Sequence, residues 1–210
     1  MGLNQRRWGL TGGIASGKSS VAAALQRRGA LIVDTDRIAH ALTAPGGAAI
    51  AAIAATFGPQ AITAEGALDR PHMRARVFAD APQRQRLEQI LHPLIELEAE
   101  RQAAQAAHTQ PVVFDVPLLV ETGRWRARVG RVLVVDCSQE LQRARIRQRN
   151  GWDEATIDRI LSSQARREQR RACADAVIVN DGSDMTTLDA MIGTLWDVWC
   201  NSMNPANVLL

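Results

Sequence analysis

The segment Gly12-Gly13-Ile14-Ala15-Ser16-Gly17-Lys18-Ser19 constrains this 210-residue chain more than any other feature. It fits the pattern GxxxxGK[ST], and its flanks are those the pattern requires. The apolar run Arg7 to Thr11 reads as a strand before it, and Ser19 to Arg28 reads as a helix after it, closed by Gly29. A strand that turns into a helix through glycines leaves consecutive backbone N–H groups aimed into the turn, and the helix N-terminus adds its positive dipole end. Such a loop cradles phosphate. In this cradle Lys18 is expected to reach the β- and γ-phosphates of a nucleotide and Ser19 to ligate Mg²⁺, with Ser20 beside it. Lys18 is the chain's single lysine, every other member of its 25 Lys and Arg residues being arginine. A mobile ammonium can follow a phosphate in transfer, which a planar guanidinium in a tight loop cannot do.

Four further short apolar runs read as buried parallel strands: Ala30 to Asp34, Val112 to Val116, Arg131 to Asp136 and Ala176 to Asn180. The expected fold is therefore α/β, a three-layer P-loop fold with a five-stranded parallel sheet in one domain. Leu188, Met191, Ile192, Leu195, Trp196 and Trp199 recur at helical spacing, so an amphipathic helix closes the core. Two stretches break the alternation. Ile38 to Ala107 is helical in character and too long for one crossover helix, and Gln139 to Ala172 is again helical. Both read as insertions at strand ends, where an open α/β sheet binds its ligands.

Composition narrows the setting. With 46% hydrophobic and 22% charged residues, no run approaches the roughly eighteen apolar residues of a membrane helix. Met1 to Arg7 leads into a strand without the features of a signal peptide, so a cytoplasmic protein with no membrane association is expected. Cys137, Cys173 and Cys200 show neither disulfide nor zinc spacing. The net charge of +3 is uneven, because nine arginines between Leu141 and Ala172 face only Asp153, Glu154, Asp158 and Glu168. That segment carries +5, and the rest of the chain −2. A field of this kind suits an anionic ligand.

Two other strand ends carry carboxylates. Val112-Val113-Phe114-Asp115 is an apolar strand ending in an acid, the arrangement that places a carboxylate near a nucleotide-bound magnesium, directly or through water. Val33-Asp34-Thr35-Asp36 ends the second strand, expected next to the phosphate loop. Asp36 is the candidate to accept a proton from an attacking hydroxyl, while one of Asp34 and Asp36 suits the cap of the following helix. Pro117-Leu118-Leu119 follows the third strand as a turn and apolar wall. In the arginine segment Arg143 and Arg147, Arg145 and Arg149, Arg166 and Arg170, and Arg167 and Arg171 stand four apart. Like charges at that spacing destabilise a helix unless something anionic offsets them. Arginines closing over a phosphoryl-transfer site would neutralise charge there and exclude water.

With these residues in place the chain resembles the dephospho-coenzyme A kinase family over nearly its whole length. The resemblance runs through Leu10 to Ile14, Asp34-Thr35-Asp36, Phe57-Gly58, Leu68-Asp69-Arg70, Leu91-His92-Pro93-Leu94-Ile95, Pro117 to Glu121, Gln142 with Arg145 and Arg149, Gln164, and Ala174-Asp175 to Asn180. It implies a kinase that uses Mg²⁺ with ATP to phosphorylate the ribose 3′-hydroxyl of dephospho-coenzyme A. It implies no nucleic acid and no obligate protein partner. It further implies Asp36 as proton acceptor, Lys18, Arg145 and Arg149 as charge stabilisers, and Asn180 beside Gly12 to Ser20 as nucleotide-binding. Arg70, His92, Pro117 and Leu118 would join Asp36 in holding the acceptor, with Ser19 and Asp115 at the metal. Residues 38–107 would be the acceptor-binding region and 139–172 the lid. Ala15 departs from the glycine usual at its place, which bears on the loop's backbone angles. Two rivals stand beside this reading: a kinase of the same fold for a nucleoside, nucleotide or shikimate-like acceptor, and a nucleic-acid-binding P-loop protein. The second has little to stack bases with, having three Phe, five Trp and no Tyr.

Overall fold

The computed structural model describes residues 3–182 and 184–201; Met1, Gly2 and the unpatterned tail after Asn201 lie outside the described residues. The chain divides into two compact units, one running up to Val33 and resuming at Ala106, the other spanning Asp34–Gln105.

The first unit holds five strands: β1 (Arg7–Gly12), β2 (Leu31–Asp34), β3 (Val112–Asp115), β4 (Arg131–Asp136) and β5 (Ala176–Val179). Their order is β2-β3-β1-β4-β5, and β1 runs parallel to both β3 and β4. All five expected strands form, β4 with the expected ends and the others with one end shifted by a residue. One expectation is corrected: β2 does not adjoin the strand that feeds the phosphate loop. Both edges of β1 are taken, Leu10 registering with Asp115 on one side and Gly12 with Val135 on the other, so β3 stands between β1 and β2.

Five residues of the six in β1 are buried, which explains why it reads as a continuous apolar run rather than an alternating one. Alternation still sorts its side chains by face. Trp8 and Leu10 enter a core formed with Val21, Ala24 and Leu25 of helix α1 (Lys18–Arg27) and with Leu188, Ile192 and Trp199 of the closing helix, Met185–Asn201. There the Trp8 ring meets Trp199 and Trp196 edge-on at centroid distances of 4.9 and 5.6 Å, contacts worth about 0.5–1.5 kcal/mol each beyond burial. Gly9 faces the opposite way, where an added Cβ would lie 2.6 Å from a Leu119 methyl, so a larger residue there would have to displace the Leu119 side chain. The closing helix is clamped to α1 by Arg28, which donates to both the carboxylate and the carbonyl of Asp189.

The second unit is helical: α2 (Thr35–Leu42), α3 (Ile50–Phe57), α4 (Arg70–Ala79) and α5 (Ala81–Ala103). Aspartate caps start three of them, Asp34, Asp69 and Asp80 accepting from the backbone N–H of Arg37, His72 and Gln83. Its core is Ala49, Ile53, Phe57, Ala61, Leu68 and Met73, covered by Leu87, Ile90, Leu91 and Leu94 of α5. Pro93 lies inside α5, where it withholds one N–H from the helical ladder without ending the helix.

Beyond β3 the first unit adds the single turn α6 (Leu119–Thr122), then after β4 three helices in succession, α7 (Gln139–Asn150), α8 (Glu154–Ser163) and α9 (Arg167–Ala172); the closing helix is α10. Ser138 caps α7 and Asp153 caps α8.

Candidate active site

The loop between β1 and α1 is held in shape by side chains that come from far along the chain. Gly17 stands at the N-cap of α1 with φ of 95°, a left-handed conformation, and the Ser16 N–H turns back to the Gly13 carbonyl at 3.1 Å. Asn180, at the end of β5, donates its carboxamide to the Ser16 carbonyl at 2.8 Å, and an added Cβ on Gly17 would lie 2.2 Å from that nitrogen. Arg145 of α7 donates to the Ala15 carbonyl at 3.1 Å and to the Asn180 carbonyl at 3.2 Å. On the preceding residue, Gln142 donates to the Ile14 carbonyl at 2.8 Å while the Ile14 N–H donates to Gln164 at 3.0 Å. Ala15, the departure noted in the sequence, has φ of 59°. It is the one described non-glycine residue with positive φ, so the substitution falls where the loop favours glycine.

Lys18 opens α1, and its ammonium is hydrogen-bonded to Asp115 at the end of β3. Ser19 and Ser20 follow in the first turn, Ser19 exposed and Ser20 half-buried. Asp115 is 6% exposed, as the apolar strand that carries it requires. Thr11 donates to the Pro117 carbonyl at 3.1 Å, fixing the turn after β3, and leaves Leu118 with 47% of its surface exposed.

The arginine segment sorts itself by partner. Arg143 pairs with Glu154 and Asp158, and Arg147 with Glu154, so α7 is bound to α8 by the protein's own carboxylates. Arg167 and Arg171 both meet the buried Asp136 at the end of β4. Burial alone would push that carboxyl upward; the two guanidinium groups outweigh it and hold the group below its ordinary range. The anion that offsets these four arginines is thus part of the fold. Arg145 is committed to the two carbonyls above, Arg149 is exposed, and Arg170 is buried with one hydrogen bond to the Ala165 carbonyl. The α7, α8 and α9 helices surround a cleft of about 740 Å³ lined by Gln142, Gln164 and Arg170 among others.

In the second unit, Asp34 caps α2 and Asp36 lies exposed in its first turn. Arg70 donates to the buried Thr43 hydroxyl at 2.7 Å, and His92 is half-buried on α5. The structure therefore gathers Gly12 to Ser20, Lys18, Asp115, Arg145 and Asn180 in one unit, and sets Asp36, Arg70 and His92 in the other. Spacing gave no sign that Gln142, Gln164 and Asn180 grip the loop, because they lie 128, 150 and 164 residues from the backbone atoms they bind. Among the described residues no group of three or more His, Cys, Asp or Glu side chains forms a metal cluster, and no helix is long and apolar enough to cross a membrane.

A family model described as dephospho-CoA kinase matches residues 7–185. The dephospho-CoA kinase of Bordetella pertussis is 56% identical over 192 residues, covering 91% of this chain and 89% of its own length. A crystal structure of a Thermus thermophilus protein superposes with a TM-score of 0.78 at 29% identity, over 91% of this chain and 97% of that one. The structure of a dephospho-CoA kinase from Campylobacter jejuni shares the fold at a TM-score of 0.69 and 23% identity, over 94% and 98% of the two chains.

Proposed function

The chain belongs to the dephospho-CoA kinase family, and from that premise we propose how its own residues transfer the γ-phosphate of ATP to the ribose 3′-hydroxyl of dephospho-coenzyme A, the last step of coenzyme A synthesis. The observation that carries the reading is the loop Gly12 to Ser19, built at a strand-to-helix junction within the matched span. Its backbone N–H groups and the α1 N-terminus bind the phosphates of ATP, and Lys18 stabilises the charge that builds on the β- and γ-phosphates during transfer. Asn180 and Arg145 bond the Ser16 and Ala15 carbonyls and so fix the backbone of the loop before the nucleotide binds.

The donors near Lys18 suit Mg²⁺. Ser19 offers a hydroxyl and Asp115 a carboxylate, hard oxygen ligands of the kind this ion takes when phosphates and water complete its shell. Bound there, Mg²⁺ would neutralise charge on the β- and γ-phosphates. Asp36 accepts the proton of the acceptor hydroxyl or orients it. Residues 38–107 bind the acceptor, with Arg70, His92, Pro117 and Leu118 as contacts. Residues 139–172 act as the lid, with Arg145 and Arg149 bringing positive charge to the transferred group. ATP and dephospho-coenzyme A are the partners, nucleic acid is not, and the enzyme works in the cytoplasm as a chain with no obligate protein partner.

The test is a purified sample given Mg-ATP and a panel of hydroxyl acceptors, with ADP release and product identity followed together. Coenzyme A should form from dephospho-coenzyme A, and only when Mg²⁺ is present. Efficient phosphorylation of shikimate or a nucleoside monophosphate, with no coenzyme A formed, would overturn the assignment.

A further inference from the structure

The peptide groups on either side of Ile14 are held by two amide side chains of opposite polarity. The Ile14 N–H needs an acceptor and receives Gln164 Oε1 at 3.0 Å; the Ile14 carbonyl needs a donor and receives Gln142 Nε2 at 2.8 Å. The backbone thereby fixes which way each amide points. Neither glutamine is a loose surface group. Gln142 is 4% exposed, on the inner face of α7, and Gln164 ends α8 in the short link to α9. That link is itself pinned: the Ala165 N–H donates to Glu121 at 2.8 Å, and the Ala165 carbonyl accepts from Arg170. Ile14, which follows the glycine pair Gly12-Gly13 of the cradle, is thus tied to α7 on one side and to the α8–α9 link on the other.

We propose that Gln142 and Gln164 are positioning residues for phosphoryl transfer, acting through Ile14 to set the orientation of the phosphate loop from the helices of the arginine-rich segment. The proposal rests on the assignment of ATP to this loop. A peptide plane can rotate only as a unit. Fixing the N–H and the C=O of one residue therefore orients the planes before and after it, and with them the neighbouring N–H groups that face the nucleotide. A movement of α7 or of the α8–α9 link reaches Ile14 through these two hydrogen bonds, beside the one that Arg145 of α7 makes to the Ala15 carbonyl. Charge-stabilising groups act through such preorganisation, so a loop free to tilt would bind ATP more weakly and transfer its phosphate more slowly.

The opposite polarity of the two bonds gives a test that packing alone cannot imitate. Glutamate has the shape of glutamine, accepts hydrogen bonds, and at neutral pH donates none. Gln164→Glu keeps the acceptor for the Ile14 N–H, whereas Gln142→Glu removes the donor for the Ile14 carbonyl and faces oxygen with oxygen. Both add the same charge close to the same residue. Methionine at either position removes the bond without adding charge. ATP and AMP affinities are measured by calorimetry in the absence of acceptor, alongside kcat and KM for ATP and the melting temperature without nucleotide.

The expected result is that Gln164→Met weakens ATP binding at least ten-fold while Gln164→Glu restores it to within about three-fold of wild type. At position 142 both Met and Glu should be impaired ten-fold or more, with kcat falling as well and AMP affinity nearly unchanged. The proposal is overturned if the two glutamates are equally tolerated or equally harmful, if Gln164→Glu is the worse of the pair, or if the methionine variants bind and turn over ATP normally. Should Gln142→Glu not fold, Gln142→Met against the Gln164 pair decides the matter by the same criteria. Since ATP binding is read without acceptor, these outcomes stand apart from the assignment of dephospho-coenzyme A, which fails only if the wild-type protein makes no coenzyme A.

Discussion

Lys18 and Asp115 are hydrogen-bonded to each other at the junction of the phosphate loop and the end of β3, with only 21% and 9% of their side-chain surfaces exposed. The pair shares one small region between two tasks: the ammonium proposed for the phosphates is held by the carboxylate proposed for Mg²⁺. A charge-assisted bond in so little water is strong, and loading of the site must share or exchange it. Asp115→Asn keeps the shape and removes the charge. It should raise the Mg²⁺ concentration for half-maximal activity about 10–100-fold, the usual range when a group near a metal is altered. ATP binding without Mg²⁺ should hold steady or tighten as Lys18 is released. An unchanged Mg²⁺ titration would remove Asp115 from the metal site.

The cap role of Asp34 and the proton-accepting role proposed for Asp36 can be told apart by two variants. Asp34 Oδ1 accepts from the Arg37 N–H at 2.9 Å and is the cap; Asp36 is exposed in the first turn. Asparagine caps nearly as well as aspartate, so Asp34→Asn should melt close to wild type, and Asp34→Ala should lose about 1 kcal/mol. Asp36→Asn cannot accept the acceptor's proton and should lower kcat by about 10² to 10⁴ with little change in ATP affinity. A normal turnover in Asp36→Asn beside a dead Asp34→Asn would mean that the roles are reversed.

The sheet was legible because its three inner strands, β3, β1 and β4, are buried on both faces and so appear as unbroken apolar runs, and the loop because its glycines, lysine and serine occupy fixed spacings. The closing helix was legible from Leu188, Ile192 and Trp199, which are buried together at helical intervals. What spacing could not disclose was partnership across the fold. The i,i+4 arginines of α7 and α9 look alike in sequence, yet Arg143, Arg147, Arg167 and Arg171 end against Glu154, Asp158 and Asp136, while Arg145 turns to the backbone of the loop. Those choices depend on which helix face meets which strand end, a tertiary matter. Strand order is similar: nothing in the run Ala30 to Asp34 says that β3 would lie between it and β1.

The clamp between α1 and α10 gives a pH signature. Hydrogen bonding from Arg28, then from Arg27, lowers the Asp189 carboxyl from 3.8 to about 2. A carboxylate depressed by folding contributes stability that is complete above its unfolded pKa and fades as pH falls through the folded value. The difference in melting temperature between wild type and Asp189→Asn should thus be level above about pH 5 and close between about pH 4 and pH 2. Asp189 is partly exposed, so added salt should narrow the gap throughout. A gap that widens on acidification would contradict the sign of the effect.

Ala15 offers a comparison in which one substitution has opposite consequences at two places. At φ of 59° its Cβ crowds the backbone, a strain of about 1–2 kcal/mol for an L-residue, which glycine would relieve. Glycine also gives the unfolded chain more freedom, worth about 0.4–1 kcal/mol against the fold. The two effects nearly offset, so Ala15→Gly should leave stability unchanged or raise it by about 1 kcal/mol. Ala23, exposed in the middle of α1, has no such strain, and Ala23→Gly should lose about 1 kcal/mol. The Ala15 carbonyl keeps its bond from Arg145 in either variant, and the loop keeps its shape, so kcat should stay within several-fold of wild type. Denaturant melts of both proteins make the comparison directly. Equal losses at the two positions would show that the loop does not strain Ala15, and a large fall in kcat for Ala15→Gly would show that the methyl group, rather than the backbone angle, is what the site uses.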